Sequence, residues 1–492
     1  VRTEGKTVVV SSRLPLTIES ENTTPPHLRP GNGGLARTLD SIMWDSGGIW
    51  VGCAPKENMV ALTVEGDRHG YSTAGVCLES KERIDHEGFS NDAIWPLFHC
   101  LKSQCRLDPD RWSGYCKVNG KIAEAVQLVA RPEDCVWVHD YPLMMVASLL
   151  RANGSHHRIG YTQHIPFPPS AILKSLPWRV ELLQALLQFD LISFQSEEDR
   201  HNFLASLAAF LPPAHRMELG GETIIRVLDR EARIATYPVG IDFDEFSVEG
   251  SDPNIIAASR AIQKQLSGAK IVLAVNRLDS SAGMFERIRA FQRLLELFPE
   301  MTGKVTMIQI VIPRNGTPSE NNRADLQIEA AAGQINRRFG SSTWRPIHYY
   351  YRCLTQAQLI AFYRAANVAL ITPLRGGMNL VAKEFCACRN DDKGVLLLSE
   401  LYGAAEELKF GALLVDPYNV DHVASVLYVA LRMSESEQKE RMTALRNHIR
   451  IHDIFDWSNA FQSDFVRSKG SRQIRRMPQE SSSGHSREFA AE

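Results

Sequence analysis

Thr372-Pro373-Leu374-Arg375-Gly376-Gly377-Met378-Asn379-Leu380-Val381-Ala382-Lys383-Glu384 is the stretch of this sequence best suited to hold a phosphate. An apolar run at 368–371 ends, two glycines follow, and good helix formers begin near Met378. Glycine lets backbone approach a ligand closely, and a helix start offers unpaired N–H groups at the positive end of its dipole. A diphosphate suits such a turn. Glu384, about two helical turns in, leans back toward the helix start and is placed to accept hydrogen bonds from a ribose diol. An ordinary strand-to-helix turn has the same outline, so support is needed from elsewhere in the chain.

Five other clusters supply it. Val275-Asn276-Arg277-Leu278-Asp279 ends another apolar run, and ligands of open α/β sheets collect at the carboxyl ends of strands. Arg277 there either closes a diphosphate clamp through a charge-assisted bond or is a surface arginine. Gln163-His164-Ile165-Pro166-Phe167-Pro168-Pro169 holds His164 in a proline-stiffened loop, as a cleft group or as a structural histidine. Val138-His139-Asp140-Tyr141 puts a carboxylate at the same kind of strand end. Ser11-Ser12-Arg13-Leu14-Pro15 follows the first strand, and Gly31-Asn32-Gly33-Gly34 precedes an expected helix. Both suit an anion or sugar hydroxyls. Arg, His, Asp and Gly converging at strand ends point to one active cleft more strongly than any cluster alone.

The elements that position these clusters alternate along the chain. Apolar, β-branched runs occur at Thr7–Val10, Val136–Val138, Ile159–Tyr161, Leu191–Phe194, Ile271–Val275, Met307–Ile312, Val368–Ile371 and Val395–Leu398. Stretches with helical spacing, such as Arg179–Phe189, Met284–Leu297 and Ala324–Phe339, lie between them. This alternation predicts an α/β fold with parallel sheets covered on both faces. A strand at Arg233–Tyr237 runs into Pro238-Val239-Gly240, and a polar stretch follows to about Asn254. The reading is of two Rossmann-like doubly wound domains, 1–245 and 246–468, with an interdomain cleft as the ligand site. A polar, Arg- and Ser-rich segment at 469–492 reads as a disordered tail.

Composition narrows the class. With 492 residues, 44% hydrophobic and 23% charged, the chain has the makings of large globular cores. Its formal net charge of -2 gives no reason to expect nucleic acid or an anionic membrane as a partner. The nine cysteines lack the paired doublets of a structural zinc site, and no metal is expected. Reduced thiols suit the cytoplasm. No apolar run approaches the roughly 20 residues of a membrane span, so a soluble, intracellular protein is expected.

Longer motifs resemble those of the trehalose-6-phosphate synthase family. They are SSRLP (11–15), GGL (33–35), WVG (50–52), GFSN (88–91), IWPLFH (94–99), VWVHDY (136–141), HIPFP (164–168), LPWR (176–179), PVGID (238–242), NRLD (276–279), INRRFG (335–340), TPLRGGMNLVAKEF (372–385) and LLLSELYGAA (396–405). The resemblance covers about residues 7 to 465. It implies the GT-B architecture and a retaining glycosyltransferase. Glucose would pass from a nucleotide-sugar such as UDP-glucose or GDP-glucose to glucose 6-phosphate, with no cofactor or metal. It implies catalytic roles for His164, Asp140 and Arg277. The donor would be bound by Gly33, Gly34, Arg277, Gly377, Met378, Asn379, Leu380, Val381 and Glu384. The acceptor would be bound by Arg13, His86, Trp95, Asp140 and Arg314. A homo-oligomer is compatible with it.

The chain departs from the family pattern at several of these positions. Ala282 stands where the family has a lysine on the donor diphosphate, and Gly376 where it has an aspartate on the donor sugar. His86 replaces a phosphate-binding tyrosine, Asn315 an arginine (with Arg314 one place earlier), Pro142 a histidine, and Cys53 a tryptophan. Two alternatives follow. One is a pseudo-glycosyltransferase joining a nucleotide-cyclitol to an aminocyclitol phosphate. The other is a non-catalytic regulatory subunit of a synthase complex.

Overall fold

The computed structural model describes residues 5–20, 27–30, 34–55, 70–211, 215–219, 222–227, 230–313, 318–378 and 380–467. Gly33, Arg314, Asn315, Asn379 and the segment 469–492 lie outside these residues.

Among the described residues, nine strands form one sheet. Their spatial order is Tyr71–Val76, Gly48–Cys53, Thr7–Arg13, Cys135–His139, Arg158–Thr162, Leu191–Phe194, Arg230–Thr236, Glu222–Val227 and His215–Leu219. The first seven run parallel, and the last two turn back antiparallel. A second, wholly parallel sheet has the order Ile347–Tyr351, Val305–Ile312, Lys270–Arg277, Val368–Ile371, Val395–Ser399 and Leu413–Val415. Its central strands are mostly apolar because helices cover both faces; all four residues of Val368–Ile371 are buried.

Each sheet reverses its winding once. The reversal falls between Thr7–Arg13 and Cys135–His139 in the first sheet, and between Lys270–Arg277 and Val368–Ile371 in the second. A crevice opens beyond the carboxyl ends of strands at such a point, because the crossovers leave in opposite directions. Arg13 ends one strand of the first switch point and Asp140 follows the other. Arg277 ends one strand of the second, and the turn Thr372–Gly377 follows the other.

Val8, Val10, Val136 and Val138 join the core on one face of the first sheet, while Val9, Trp50 and Trp137 face the other. This second face is covered partly by the last described helix, Ile454–Arg467, whose Trp457, Phe461 and Phe465 share its core. The Phe461 ring stacks on Trp137 at 4.3 Å between centroids. Having built the second sheet, the chain therefore returns to finish the first.

The expected strands are all present, and Leu191–Phe194, Val368–Ile371 and the helix Met284–Leu297 coincide with the reading of the sequence. Three points differ. Strands Leu16–Ser20, His27–Pro30, Gly48–Cys53, Tyr71–Val76, His215–Leu219 and Glu222–Val227 were not anticipated. The polar stretch after residue 242 is helical, Phe243–Gly250 and then Pro253–Gln265. Its aspartates act as caps: Asp242 accepts from the Glu245 amide at 3.0 Å and Asp252 from the Asn254 amide at 2.7 Å. The helix expected from Met378 begins at Leu380, so Glu384 stands about one turn from its start rather than two.

Candidate active site

Arg277 ends its strand exposed, and its guanidinium makes no hydrogen bond or ion pair among the described residues. The loop after it is fixed from several sides. Asp279 accepts from the Ser281 amide (3.0 Å) and hydroxyl (2.8 Å), and the Leu374 amide donates to the Ser281 carbonyl at 2.8 Å. That last bond ties the Arg277 loop to the glycine turn of the neighbouring strand. Gly283 closes the loop with φ +64°, where a Cβ would also lie 2.3 Å from the Thr372 carbonyl oxygen.

Behind both segments lies Arg287, 1% exposed. It donates to Thr372 Oγ1 (3.1 Å), Gln309 Oε1 (3.1 Å), the Ala282 carbonyl (3.0 Å) and Asn276 Oδ1. Burial lowers its pKa to about 10, which leaves it charged at neutral pH. One buried cation thus joins both strands of the switch point to the loop between them.

On the first sheet, Asp140 adopts φ +74°, uncommon for a residue with a side chain. Its carboxylate accepts from the His164 amide at 3.0 Å, and the Tyr141 and Ile165 amides also favour its charged form. Burial nonetheless raises its pKa to about 6. The positive charge of Arg277 reaches it across the cleft. His164 Nε2 and His139 Nδ1 are 3.1 Å apart, with the rings nearly parallel, so one ring donates to the other. Burial holds His164 down to about pKa 3 and His139 well below its usual range. Both are neutral at physiological pH. The pair packs beside Trp457 of the returning helix.

The two sides meet at Gly377. A Cβ there would lie 2.4 Å from the His164 carbonyl oxygen and 3.0 Å from the Ile165 carbonyl carbon. Glycine is required for the turn of the second sheet to rest on the histidine loop of the first. Met378 and Leu380 continue the contact by packing against the core under Val9 and Trp137. Lys383, 1% exposed, donates to the Val239 carbonyl at 2.8 Å and pairs with Glu407. The helix Leu380–Ala387 therefore starts at the junction of the two sheets, with Leu380 and Val381 in its first turn. Glu384 is buried, accepts from the Tyr363 hydroxyl at 2.7 Å and is raised in pKa by burial. The charge of Arg37, in the first turn of helix Gly34–Ser46, reaches it from the first sheet.

Other expected residues are spread around this junction. Arg13 is exposed and pairs with Glu87 at 2.8 Å. Trp95 opens a short helix after a π-helical turn at Phe89–Ile94, its ring 4.1 Å from that of His99. Among the described residues no cluster of His, Cys, Asp or Glu is close enough to hold a metal ion.

The model of glycosyltransferase family 20 matches residues 5–467. The chain belongs to glycosyltransferase family 20. It is 38% identical over 481 residues to a bifunctional trehalose-6-phosphate synthase/phosphatase of Thermoproteus tenax, covering 95% of this chain but only 64% of that protein. It is 35% identical to a trehalose-6-phosphate synthase of Enterobacter sp. strain 638, covering 94% of this chain and 96% of that one. Among solved structures, an α,α-trehalose-phosphate synthase (UDP-forming) from Burkholderia xenovorans in complex with glucose-6-phosphate superposes with a TM-score of 0.85. The two are 33% identical, over 94% of this chain and 100% of that one. The fold is GT-B, with one largely parallel and one wholly parallel sheet.

Within this family framework, three departures have a structural account. His86 corrects the expectation of a phosphate ligand. It is 4% exposed, stacks on Tyr115 and donates through Nε2 to the Pro142 carbonyl at 3.0 Å. Burial lowers its pKa to about 4, so it carries no charge for a phosphate. The changes at 86 and 142 are neighbours in space. Ala282 is 3% exposed with its methyl in a hydrophobic core, so no hollow is left for a lysine. Gly376 lies under the ring of Tyr402, where a Cβ would come within 2.7 Å of Cε2.

Arg287, His139 and Tyr402 carry functional geometry that sequence reasoning passed over. For Arg287 the signal was available: an arginine inside the apolar stripe Met284, Ile288, Phe291, Leu294 of an amphipathic helix.

Proposed function

We propose that this protein transfers glucose, or a similar sugar, from a nucleoside-diphosphate sugar to a sugar phosphate, as a trehalose-6-phosphate synthase does. The observation that carries the reading is the meeting of two switch points: Gly377 rests on His164, and the charge of Arg277 reaches Asp140 across the gap. The Burkholderia relative is UDP-forming and was solved with glucose-6-phosphate, which supports UDP as leaving group and a hexose phosphate as acceptor.

In this reading the 1–245 part binds the acceptor and the 246–468 part the donor. Arg277 and the amides of Leu380 and Val381 hold the diphosphate; Glu384 takes the ribose. As the bond from the anomeric carbon to the diphosphate oxygen breaks, negative charge grows on that oxygen. Preorganised N–H groups and a guanidinium stabilise this charge most in the transition state. The acceptor hydroxyl attacks the anomeric carbon from the same face and gives its proton to the departing diphosphate. His164, neutral and locked by His139 and the Asp140–amide bond, faces the transferred sugar as a hydrogen-bonding group. Asp140 orients the acceptor. Arg13 reaches the acceptor phosphate, since an exposed ion pair such as that with Glu87 is worth only about 0–1 kcal/mol and yields readily. Intact Arg277 and helix start favour catalysis over a purely regulatory subunit. None of the nine cysteines is in a disulfide, which favours the cytoplasm.

The test is incubation of the protein with UDP-glucose or GDP-glucose and glucose 6-phosphate, following nucleoside diphosphate release and the product's mass. A disaccharide phosphate is expected. Binding of nucleotide-sugar without any turnover counts against the proposal.

A further inference from the structure

The floor of the cleft beside Gly377 contains a pairing that the proposed reaction does not yet use. Gly376 and Tyr402 form a parallel bridge, and the Gly403 amide donates to the Gly376 carbonyl at 3.1 Å. The Tyr402 ring is laid against Gly376 so closely that a Cβ would meet Cε2 at 2.7 Å and Cδ2 at 3.0 Å. With 5% exposure and core neighbours on the second sheet, the ring cannot swing aside. No side chain fits at 376 while Tyr402 is present.

The phenol hydroxyl is itself unusual. It is buried without a hydrogen-bond partner among the described residues. A buried unpaired hydroxyl is costly, and such groups need a reason to persist. The bridge to Gly376 places Tyr402 beside the glycine turn, which the Leu374–Ser281 bond ties to the Arg277 loop, and the charge of Asp279 in that loop is felt at the phenol. Gly377, the next residue along, touches the His164 loop. The ring thus packs on the residue next to that contact, in the turn tied to the Arg277 loop.

We propose that Tyr402 is a specificity-determining residue of this cleft: its ring excludes a side chain at 376, and its hydroxyl contacts the sugar end of the nucleotide-sugar. This rests on the glycosyltransferase reading above. A phenol offers one hydroxyl that both donates and accepts, so it holds one sugar hydroxyl where a carboxylate would accept from two. The donor pocket is thereby rebuilt for a different hydrogen-bond pattern.

Two measurements on the full chain test this. In calorimetric titrations, Tyr402→Phe should weaken UDP-glucose binding about tenfold and leave UDP binding unchanged. Equal weakening of both ligands, or of neither, overturns the sugar contact. In thermal melts, Gly376→Ala should lower Tm by several degrees in the wild type and by clearly less in a Tyr402→Ala background. Equal lowering in both overturns the steric half. If the wild type binds no nucleotide-sugar, the glycosyltransferase reading and the sugar contact fall together, while the melts still decide the pairing of 376 with 402.

Discussion

The backbone of Gly377 lies against the carbonyl oxygen of His164, leaving 2.4 Å for a β-carbon that is not there. Backbone on backbone cannot yield by a rotamer change. Gly377→Ala should cost about 1–3 kcal/mol of stability, the usual range for overpacking, and should also impair turnover by separating the two sheets. Melting temperature and kcat check both. Gly120 supplies the contrast. It sits in helix Pro109–Val129 with nothing within 4 Å of a Cβ, so Gly120→Ala should stabilise by about 0.5–1 kcal/mol.

Arg277→Ala should leave Tm unchanged, because the exposed guanidinium has no partner among the described residues. It should weaken UDP binding by roughly ten- to a hundredfold, the loss of one charge-assisted hydrogen bond. Calorimetric titration with UDP measures this directly. Unchanged affinity would remove Arg277 from the diphosphate site.

Arg287 has the opposite profile. Arg287→Met would strand Thr372, Asn276, Gln309 and the Ala282 carbonyl without their shared donor. A loss on the order of 3–5 kcal/mol is expected, comparable to breaking a buried charged pair. Denaturant unfolding reports it. Arg287→Lys keeps the charge but not the planar fork, and should recover only part of the loss.

The Asp140 carboxyl is raised from 3.8 to about 6. Its folded form therefore holds a proton that the unfolded form has released. The associated stability is present below about pH 4 and disappears as pH rises through 6. Activity runs the other way if the acceptor needs the carboxylate: kcat/KM should fall below about pH 6. His164 and His139, neutral throughout this range, should add no second limb. A pH profile settles it, and an Asp140→Asn variant should show less change in Tm between pH 4 and 7 than the wild type.

Much of the architecture was legible from local signals. Leu191–Phe194 and Val368–Ile371 are short apolar β-branched runs, and every one of their residues is buried. Arg277, Asp140 and His164 could be singled out because strand ends collect ligands, and the structure bonds the His164 amide to Asp140 within reach of the Arg277 charge. What failed needed a third dimension. His86 has the spacing of a phosphate ligand, yet a carbonyl 56 residues away captures its ring nitrogen. Ala282 and Gly376 read as lost contacts, whereas a core methyl and the Tyr402 ring already occupy the space. Replacing them by lysine and aspartate alone should therefore not recreate the family's donor pocket. The aspartates at 242 and 252 looked like linker and prove to be caps, since capping depends on which amide faces the carboxylate.

Helix Ile454–Arg467 gives the fold an interdependence that a linear division near residue 245 conceals. A fragment stopping there would strip part of the cover from Trp137 and Val9, and the complementary fragment would carry a greasy, unmatched C-terminal helix. Neither half is self-sufficient. Protease nicks between the sheets should leave the pieces associated, and deleting the last fourteen residues of the described chain should unravel the distant, earlier-made half first.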